Sequence, residues 1–329
     1  MKRFLLRRLL WFFLTLLAVI TVAFALMRGV RGGPFDGERP LPPAIEKNLR
    51  ARYHLDWPLW KQYLQYTGPL NLDEHGPQWL GGDGTRPLGG VLTGDLGPSF
   101  RYRDFSVNDI LAQSLPISMQ LGALALCLAL LIGVPAGIAS ALARGGGFDA
   151  LLRVSTSLGI AVPGFVLGSV LLYLFSLRHP LLPVAGYGTW RHWVLPTLAL
   201  AAPFAAYAAR LTRAGVLETI ALDHVRTARA KGLPESLVIR RHVLRGALLP
   251  LLAWLGPAAA GILTGSLVIE RIFAIPGTGT HFVNSALNRD YTLAMGVTIV
   301  YTTLVYAFNL LVDLASAAID PRIRLEESA

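Results

Sequence analysis

Residues 115–143 read LPISMQLGALALCLALLIGVPAGIASALA, twenty-nine positions without a charged side chain. At about 1.5 Å of helical rise per residue, the run outreaches the roughly 30 Å hydrocarbon core of a bilayer. Four further uncharged stretches reach the same threshold: Leu9 to Met27, Val154 to Leu177, Ala247 to Ile269 and Leu293 to Val312. A sixth, Val194 to Ala209, is slightly short. It counts because Trp190 and Trp193 stand at one end as interfacial anchors, while Arg210 and Arg213 stand at the other, able to snorkel. The expected architecture is an all-α polytopic membrane protein with six transmembrane helices and both termini on one side. The composition agrees, with 53% apolar and only 15% charged residues over 329 positions, outside the soluble globular range.

Lys and Arg decide which side that is, because short cytoplasmic loops carry their excess. With the N-terminus inside, the inside segments hold Lys2, Arg3, Arg7, Arg8, Arg144, Arg153, Arg322, Arg324 and the basic residues between Arg210 and Arg245. The two short outside loops hold only Arg178, Arg191, Arg271 and Arg289. The net charge of +10 is therefore an orientation signal, and no nucleic-acid partner is expected. Cys127 is alone and mid-span, so neither a disulfide nor a thiolate metal site follows. The first apolar run is expected to be a retained span, since Met27-Arg28-Gly29 makes a poor signal-peptide cleavage site. The chain then divides into a first helix with a cytoplasmic N-terminus (1–27), an outside segment (28–114), a five-helix core (115–317) and a cytoplasmic tail (318–329).

In the outside segment, Pro42 and Pro43 open a short helix with Ile45, Leu49 and Tyr53 on one face, followed by Trp57, Trp60, Tyr63 and Tyr66. Such aromatic density fits either a segment near the headgroups or an ordinary small extracellular subdomain. Thr67 to Gly94, rich in Gly, Pro and Asp, reads as loop. Within the spans, Gly133-x-x-x-Gly137, Gly164-x-x-x-Gly168 and Gly261-x-x-x-Gly265 permit close helix contact, and suggest dependence on a partner chain. Pro135, Pro163, Pro196, Pro203 and Pro257 break the backbone ladder where neighbouring helices or a cavity satisfy the freed carbonyls. Together these features point to packed, deformable helices around a path.

No Asp or Glu lies inside the six runs, and Asp313 sits only at the end of the last, so no proton or ion relay is evident. Arg144-Gly145-Gly146-Gly147 lacks the lysine and hydroxyl of a phosphate loop and reads as a turn. The seven histidines show no paired ligand spacing, and the spans offer Ser and Thr with no basic or acidic partner. An intramembrane enzyme is thereby disfavoured. The chain is expected to hold no cofactor, metal or catalytic residue of its own, and energy for uphill transport must come from another chain.

The most charged inside stretch, Arg210 to Gly246, contains Asp223-His224-Val225-Arg226-Thr227-Ala228-Arg229-Ala230-Lys231-Gly232-Leu233-Pro234. This spells a short helix stopped by Gly232 and Pro234. It serves either as a basic surface helix that sets topology or as an element that a partner's groove can grip.

The run resembles the coupling-loop motif of permease subunits of bacterial ABC importers, in its peptide-permease form. Arg226, Thr227, Ala228 and Gly232 fill the family's Glu-Ala-Ala-x-x-x-Gly places, and Leu249-Pro250 follows at the spacing of the peptide branch. Gly33 to Arg39 with Leu41-Pro42-Pro43, and then Tyr53-His54-Leu55, look like the segment after the first span of oligopeptide permease B subunits. Gly94 to Phe100, Phe273 to Gly279 and Asn284 to Tyr291 are similar to further family signatures, whereas Pro69 to Gly90 is longer and more glycine-rich than the pattern. The resemblance implies a type I ABC importer permease fold in the bacterial inner membrane, multi-pass, with both termini cytoplasmic. It implies pairing with a homologous second permease in a heterodimer, two cytoplasmic ATPase subunits holding ATP and Mg, and a periplasmic substrate-binding protein delivering oligopeptide. Dipeptide, glutathione and nickel are the alternative cargoes. Asp223, Arg226, Thr227, Ala228, Arg229, Ala230, Lys231, Gly232, Leu233 and Pro234 would form the ATPase-coupling segment, with Leu233 and Pro234 packing into the ATPase.

Overall fold

The computed structural model describes residues 2–29, 34–35, 42–69, 88–102, 105–263 and 266–319. In chain order the helices are α1 (Lys2–Gly29), α2 (Pro43–Arg52), α3 (Leu59–Thr67), α4 (Val107–Leu142), α5 (Gly147–Ala161), α6 (Gly164–Leu172) and α7 (Trp190–Thr219). After these come α8 (Asp223–Ala230), α9 (Glu235–Val238), α10 (Leu244–Ala247), α11 (Leu249–Leu263), α12 (Leu267–Ile272), α13 (Thr278–Leu287) and α14 (Tyr291–Ile319). Wider π-type turns follow α6 over Tyr173–Arg178 and join α9 to α10 over Ile239–Val243. The sole β-type pairing among the described residues is an isolated bridge between Pro98 and Ser106.

Among the described residues, five helical stretches are long and apolar enough to cross a membrane: Leu6–Gly29, Val107–Leu142, Trp190–Thr219, Leu249–Ile272 and Tyr291–Ala315. The expected span Val154 to Leu177 is not one straight helix. It is a pair, Gly147–Ala161 and Gly164–Arg178, bent by 97°. Pro163 explains the break, because it has no N–H to continue the ladder and pushes Val162 into extended conformation, with ψ 120°. The short run at Val194 to Ala209 proves to be the middle of the thirty-residue α7, which carries Pro196 and Pro203 inside it.

The chain forms two compact units. One comprises Ile117–Gly279 with Leu304–Ala329 and the first four residues; the other comprises Leu5–Pro116 with Thr280–Thr303. In the first, one core gathers Leu121, Ala125 and Ala129 of α4, Leu195 and Ala199 of α7, Ile262 of α11 and Ile269 of α12. The contact of α4 with α7 is set by glycine: a Cβ at Gly133 would lie 2.5 Å from the Ala205 carbonyl oxygen, and one at Gly137 2.5 Å from that of Ala209. This Gly-x-x-x-Gly face is therefore filled within the chain. Gly168 is filled likewise, by Ile269 and Phe273, whereas Gly261 has open space and Gly265 lies outside the described residues.

In the second unit, Ile20 and Phe24 of α1 pack with Tyr66 of α3, Val107 and Ile110 of α4 and Leu293 of α14. The aromatic run splits by helical phase: Tyr66 is buried while Trp60 is 63% exposed. Along α2, Leu49 and the following Tyr53 join a small aromatic core with Phe35, Phe100 and Tyr291, whereas Ile45 stays exposed. Of the glycine-rich stretch and the first family signature, residues 70–87, 30–33 and 36–41 lie outside the described residues.

Candidate functional site

The segment Asp223–Pro234 is built as the sequence predicts, and the structure adds which face is which. Leu222 opens α8, its carbonyl accepting from the N–H groups of Val225 (3.0 Å) and Arg226 (3.2 Å). Asp223 stands in the first turn and Arg229 in the last, each opposing the helix dipole end beside it. Thr227 donates its hydroxyl back to the Asp223 carbonyl at 2.9 Å.

The stop is a left-handed turn. Gly232 sits at φ +76°, where the Gly232 N–H donates to the Arg229 carbonyl at 2.9 Å and the Leu233 N–H reaches the Ala228 carbonyl at 3.4 Å. A Cβ at Gly232 would meet nothing within 4 Å, so the demand for glycine is conformational and not one of space. Pro234 then fixes the chain for the start of α9, where Arg229 grips Glu235 through contacts of 3.1 and 2.5 Å. Those hydrogen bonds hold the Glu235 carboxyl below its ordinary pKa.

Five buried neighbours decide the helix's orientation. Val225 and Ala228 are buried, packed with Ala141 of α4, Val216 of α7, Val238, Val243 and Ala247. Burying a valine of this kind is worth about 1.5–3 kcal/mol, enough to pin one face of an eight-residue helix. Leu233 also packs, partly buried, against this cluster, with the rest of its side chain left accessible beside Pro234. Its apolar side chain follows the backbone reversal at Gly232 back to the core. What remains outward is Asp223, Arg226, Thr227, Arg229, Ala230, Lys231, Gly232 and Pro234, all exposed. Arg226 lies 3.5 Å from Asp223, both solvated, which leaves the charge of this face free to meet a partner.

The cluster beneath α8 links it to longer elements. Gly215 of α7 comes so close to α10 that a Cβ would lie 2.1 Å from the Ala247 carbonyl oxygen. Through this cluster α8 is packed on α7 and, by way of α10, leads to the start of α11.

A family model described as "Binding-protein-dependent transport system inner membrane component" matches residues 133–325, which include all of α8 and its stop. The chain belongs to this family. Among members of known role, it is 42% identical over 326 residues to the oligopeptide transport system permease protein OppB of Haemophilus influenzae, covering 98% of this chain and 100% of that one. The match to OppB of Escherichia coli K12 has the same identity and coverage. The dipeptide transport system permease protein DppB of Bacillus subtilis is 40% identical over 327 residues, 99% of each chain. A solved structure titled as inward-facing conformations of the MetNI methionine ABC transporter overlays with a TM-score of 0.53 at 17% identity, over 64% of this chain and 96% of that one. At that identity the overlay speaks for the fold, which is the permease fold expected from the resemblance.

Two contacts of this permease-family chain escape its sequence. Glu270, in the stretch Leu249–Ile272, is fully buried: Ser118 of α4 donates to it at 2.8 Å and the Gly279 N–H at 3.0 Å. It stands one residue beyond the uncharged run Ala247 to Ile269, within the longer helical stretch. The Phe273–Gly279 signature wraps this carboxylate, and a Cβ at Gly277 would lie 2.4 Å from its Oε2. Secondly, two other signatures meet, since Asp290 accepts from the Ser99 hydroxyl and from the Phe100 N–H at 3.1 Å. Arg213, expected to snorkel, is instead bound to Asp149 of α5 at 2.9 and 3.0 Å.

Proposed function

We propose that this chain is a permease subunit of an ATP-driven importer that carries short peptides across the bacterial inner membrane, and that the outward face of α8 docks a cytoplasmic ATPase subunit. The observation that carries the docking assignment is the two-sided character of α8. It is pinned by Val225 and Ala228 and offers Arg226, Thr227 and Ala230 outward, ending on a turn whose geometry only glycine adopts without strain. Closure of two ATPase subunits around ATP and Mg would push this face, and the packing beneath it would carry the push into α7 and α11. A homologous second permease completes the path in a heterodimer, a periplasmic binding protein delivers the peptide, and both termini lie in the cytoplasm. The Lys and Arg distribution supports that orientation. The names of the OppB relatives support oligopeptide cargo, and the similarity to DppB makes dipeptide the second reading.

The test is reconstitution in liposomes with the partner subunits and binding protein. Ala230→Trp, a bulky change on the exposed face, is expected to abolish both peptide uptake and stimulation of ATP hydrolysis by loaded binding protein, while the chain still inserts and pairs. Full stimulation in that variant would remove α8 from the docking surface. Competition of labelled pentapeptide uptake by unlabelled dipeptide distinguishes the cargoes.

A further inference from the structure

Between α4, α5 and α7 lies a cavity of about 300 Å³ to which transport coupling gives no role. Arg153, Arg210 and Arg213 line it, with the hydroxyls of Ser140, Thr156 and Ser157, and no acidic side chain does. Arg213 is neutralised by Asp149, and Arg153 stands 3.6 Å from the same carboxylate. Arg210 has no carboxylate partner among the described residues; its only hydrogen bond there is to the Ser157 hydroxyl, at 3.4 Å. Three guanidinium groups thus share one carboxylate, which leaves about two positive charges uncompensated in a polar recess. Unmatched guanidinium groups gathered in one recess near the ends of these helices mark an anion site or a relay. No acid faces the cavity to pass a proton, so a relay is not supported.

The cavity's surroundings choose the ligand. It lies beside the α4–α5 turn, and Arg210 is about two and a half helical turns before the end of α7, the end that leads into α8. Along α5, Phe148, Leu151, Val154 and Leu158 form an exposed apolar stripe, and by helical phase Val154 adjoins Ser157 at the cavity's edge. A recess with guanidiniums and hydroxyls, opening beside an apolar stripe, matches an amphiphile whose anionic oxygens are bound while its chains lie along the helix. We infer that this cavity binds the phosphate headgroup of an anionic phospholipid, with the acyl chains on the outer face of α5. Arginine suits that headgroup, since its planar donor fork pairs with two phosphate oxygens at once.

The full-length chain, extracted with its co-expressed partners in mild detergent, is titrated with phosphatidylglycerol and with phosphatidylcholine of the same acyl chains, and bound lipid is counted by native mass spectrometry. Phosphatidylglycerol is expected to bind preferentially, about five-fold more weakly in Arg210→Gln and about twenty-five-fold in Arg153→Gln/Arg210→Gln. Arg240→Gln/Arg241→Gln removes the same charge from an exposed segment outside the cavity and is expected to bind as the wild type does. Ser157→Phe, which fills the recess without changing charge and leaves the Arg213–Asp149 pair alone, is expected to lose the lipid too. Equal binding of the two lipids, equal loss in both double variants, or undiminished binding in Ser157→Phe overturns the assignment. So does displacement by excess inorganic phosphate, which makes the ligand a free anion. Displacement by a peptide with a free C-terminal carboxylate but not by its amide gives the cavity to the transported cargo instead.

Discussion

The α8 turn and the Glu270 loop solve the same problem, holding a reversal of the chain against long helices, with opposite chemistry. At α8 the anchor is apolar, Val225 and Ala228, and the charged groups point outward where water or a partner satisfies them. At Glu270 the anchor is a buried carboxylate, ringed by the Ser118 hydroxyl and the N–H of Gly279, with Thr278 N–H donating on to Ser118 at 2.8 Å. An apolar anchor tolerates adjustment, because dispersion and desolvation have no direction. A buried carboxylate does not, since every lone pair it leaves unmet costs free energy. The difference separates a surface suited to pushing and release from a joint suited to staying closed.

The largest expected effect is therefore at the joint. Glu270→Ala strands the buried Ser118 hydroxyl and Gly279 N–H and leaves a void between Gly277 and α4, a loss of about 3 kcal/mol or more. Gly277→Ala is expected to match it, because the new methyl collides with the carboxylate. Glu270→Gln keeps the shape and one acceptor and should fall between. Thermal denaturation of each variant, followed by size-exclusion of the detergent-solubilised chain, ranks them. Wild-type stability in Glu270→Ala would show that the loop is held by its apolar residues, as α8 is, and would erase the contrast.

The two regions also differ in how far they could be read in advance. Long uncharged runs announce helices because lipid leaves the backbone no other partner, and Gly232 with Pro234 announces where α8 stops because that geometry is local. Which face of α8 turns inward is not local: its packing partners Ala141, Val216 and Val243 come from three other stretches of the chain. Glu270 was hidden for the same reason. It ends an apolar run and so reads as the solvated boundary of a span, while its partner Ser118 is 152 positions earlier. The visible trace was the pair Gly277 and Gly279, whose missing side chains make room for the carboxylate. The bend at Pro163 was legible as a break, but a proline alone does not specify its 97° angle.

A smaller effect on stability, and a larger one on coupling, is expected at Gly232. Its positive φ disfavours any side chain by about 1 kcal/mol, more for a β-branched one, yet a Cβ there meets no neighbour. Gly232→Val should insert and pair normally while misaiming the exposed face, so that ATP hydrolysis no longer responds to loaded binding protein. Gly232→Asn, which enters the left-handed region readily, should retain most of the response. A topology-only helix predicts instead that both variants behave as wild type and that only loss of Arg226, Arg229 and Lys231 together matters, through inside charge. Equal response in the valine and asparagine variants would mean that the turn's conformation is not what the partner reads.

The smallest effect belongs to the clasp between Arg229 and Glu235, an exposed pair across that same turn. Its sign with pH follows from the lowered Glu235 value. A carboxyl whose folded pKa is depressed contributes stability fully above its unfolded pKa, near 4.3, and loses it as pH falls through the lower folded value. Hydrogen exchange over residues 229–238, corrected for intrinsic rates, should show Glu235→Gln less protected than wild type at neutral pH. The two should converge as pH falls through the depressed folded value and the wild-type carboxyl protonates. Screening in about 1 M salt should shrink the neutral-pH difference as well, since both side chains are solvated. Equal protection of the two proteins at neutral pH would show that Gly232 and the inward Leu233 set the turn alone. The apolar anchor would then be the whole of what holds α8, and its distinction from the carboxylate joint at Glu270 would become sharper.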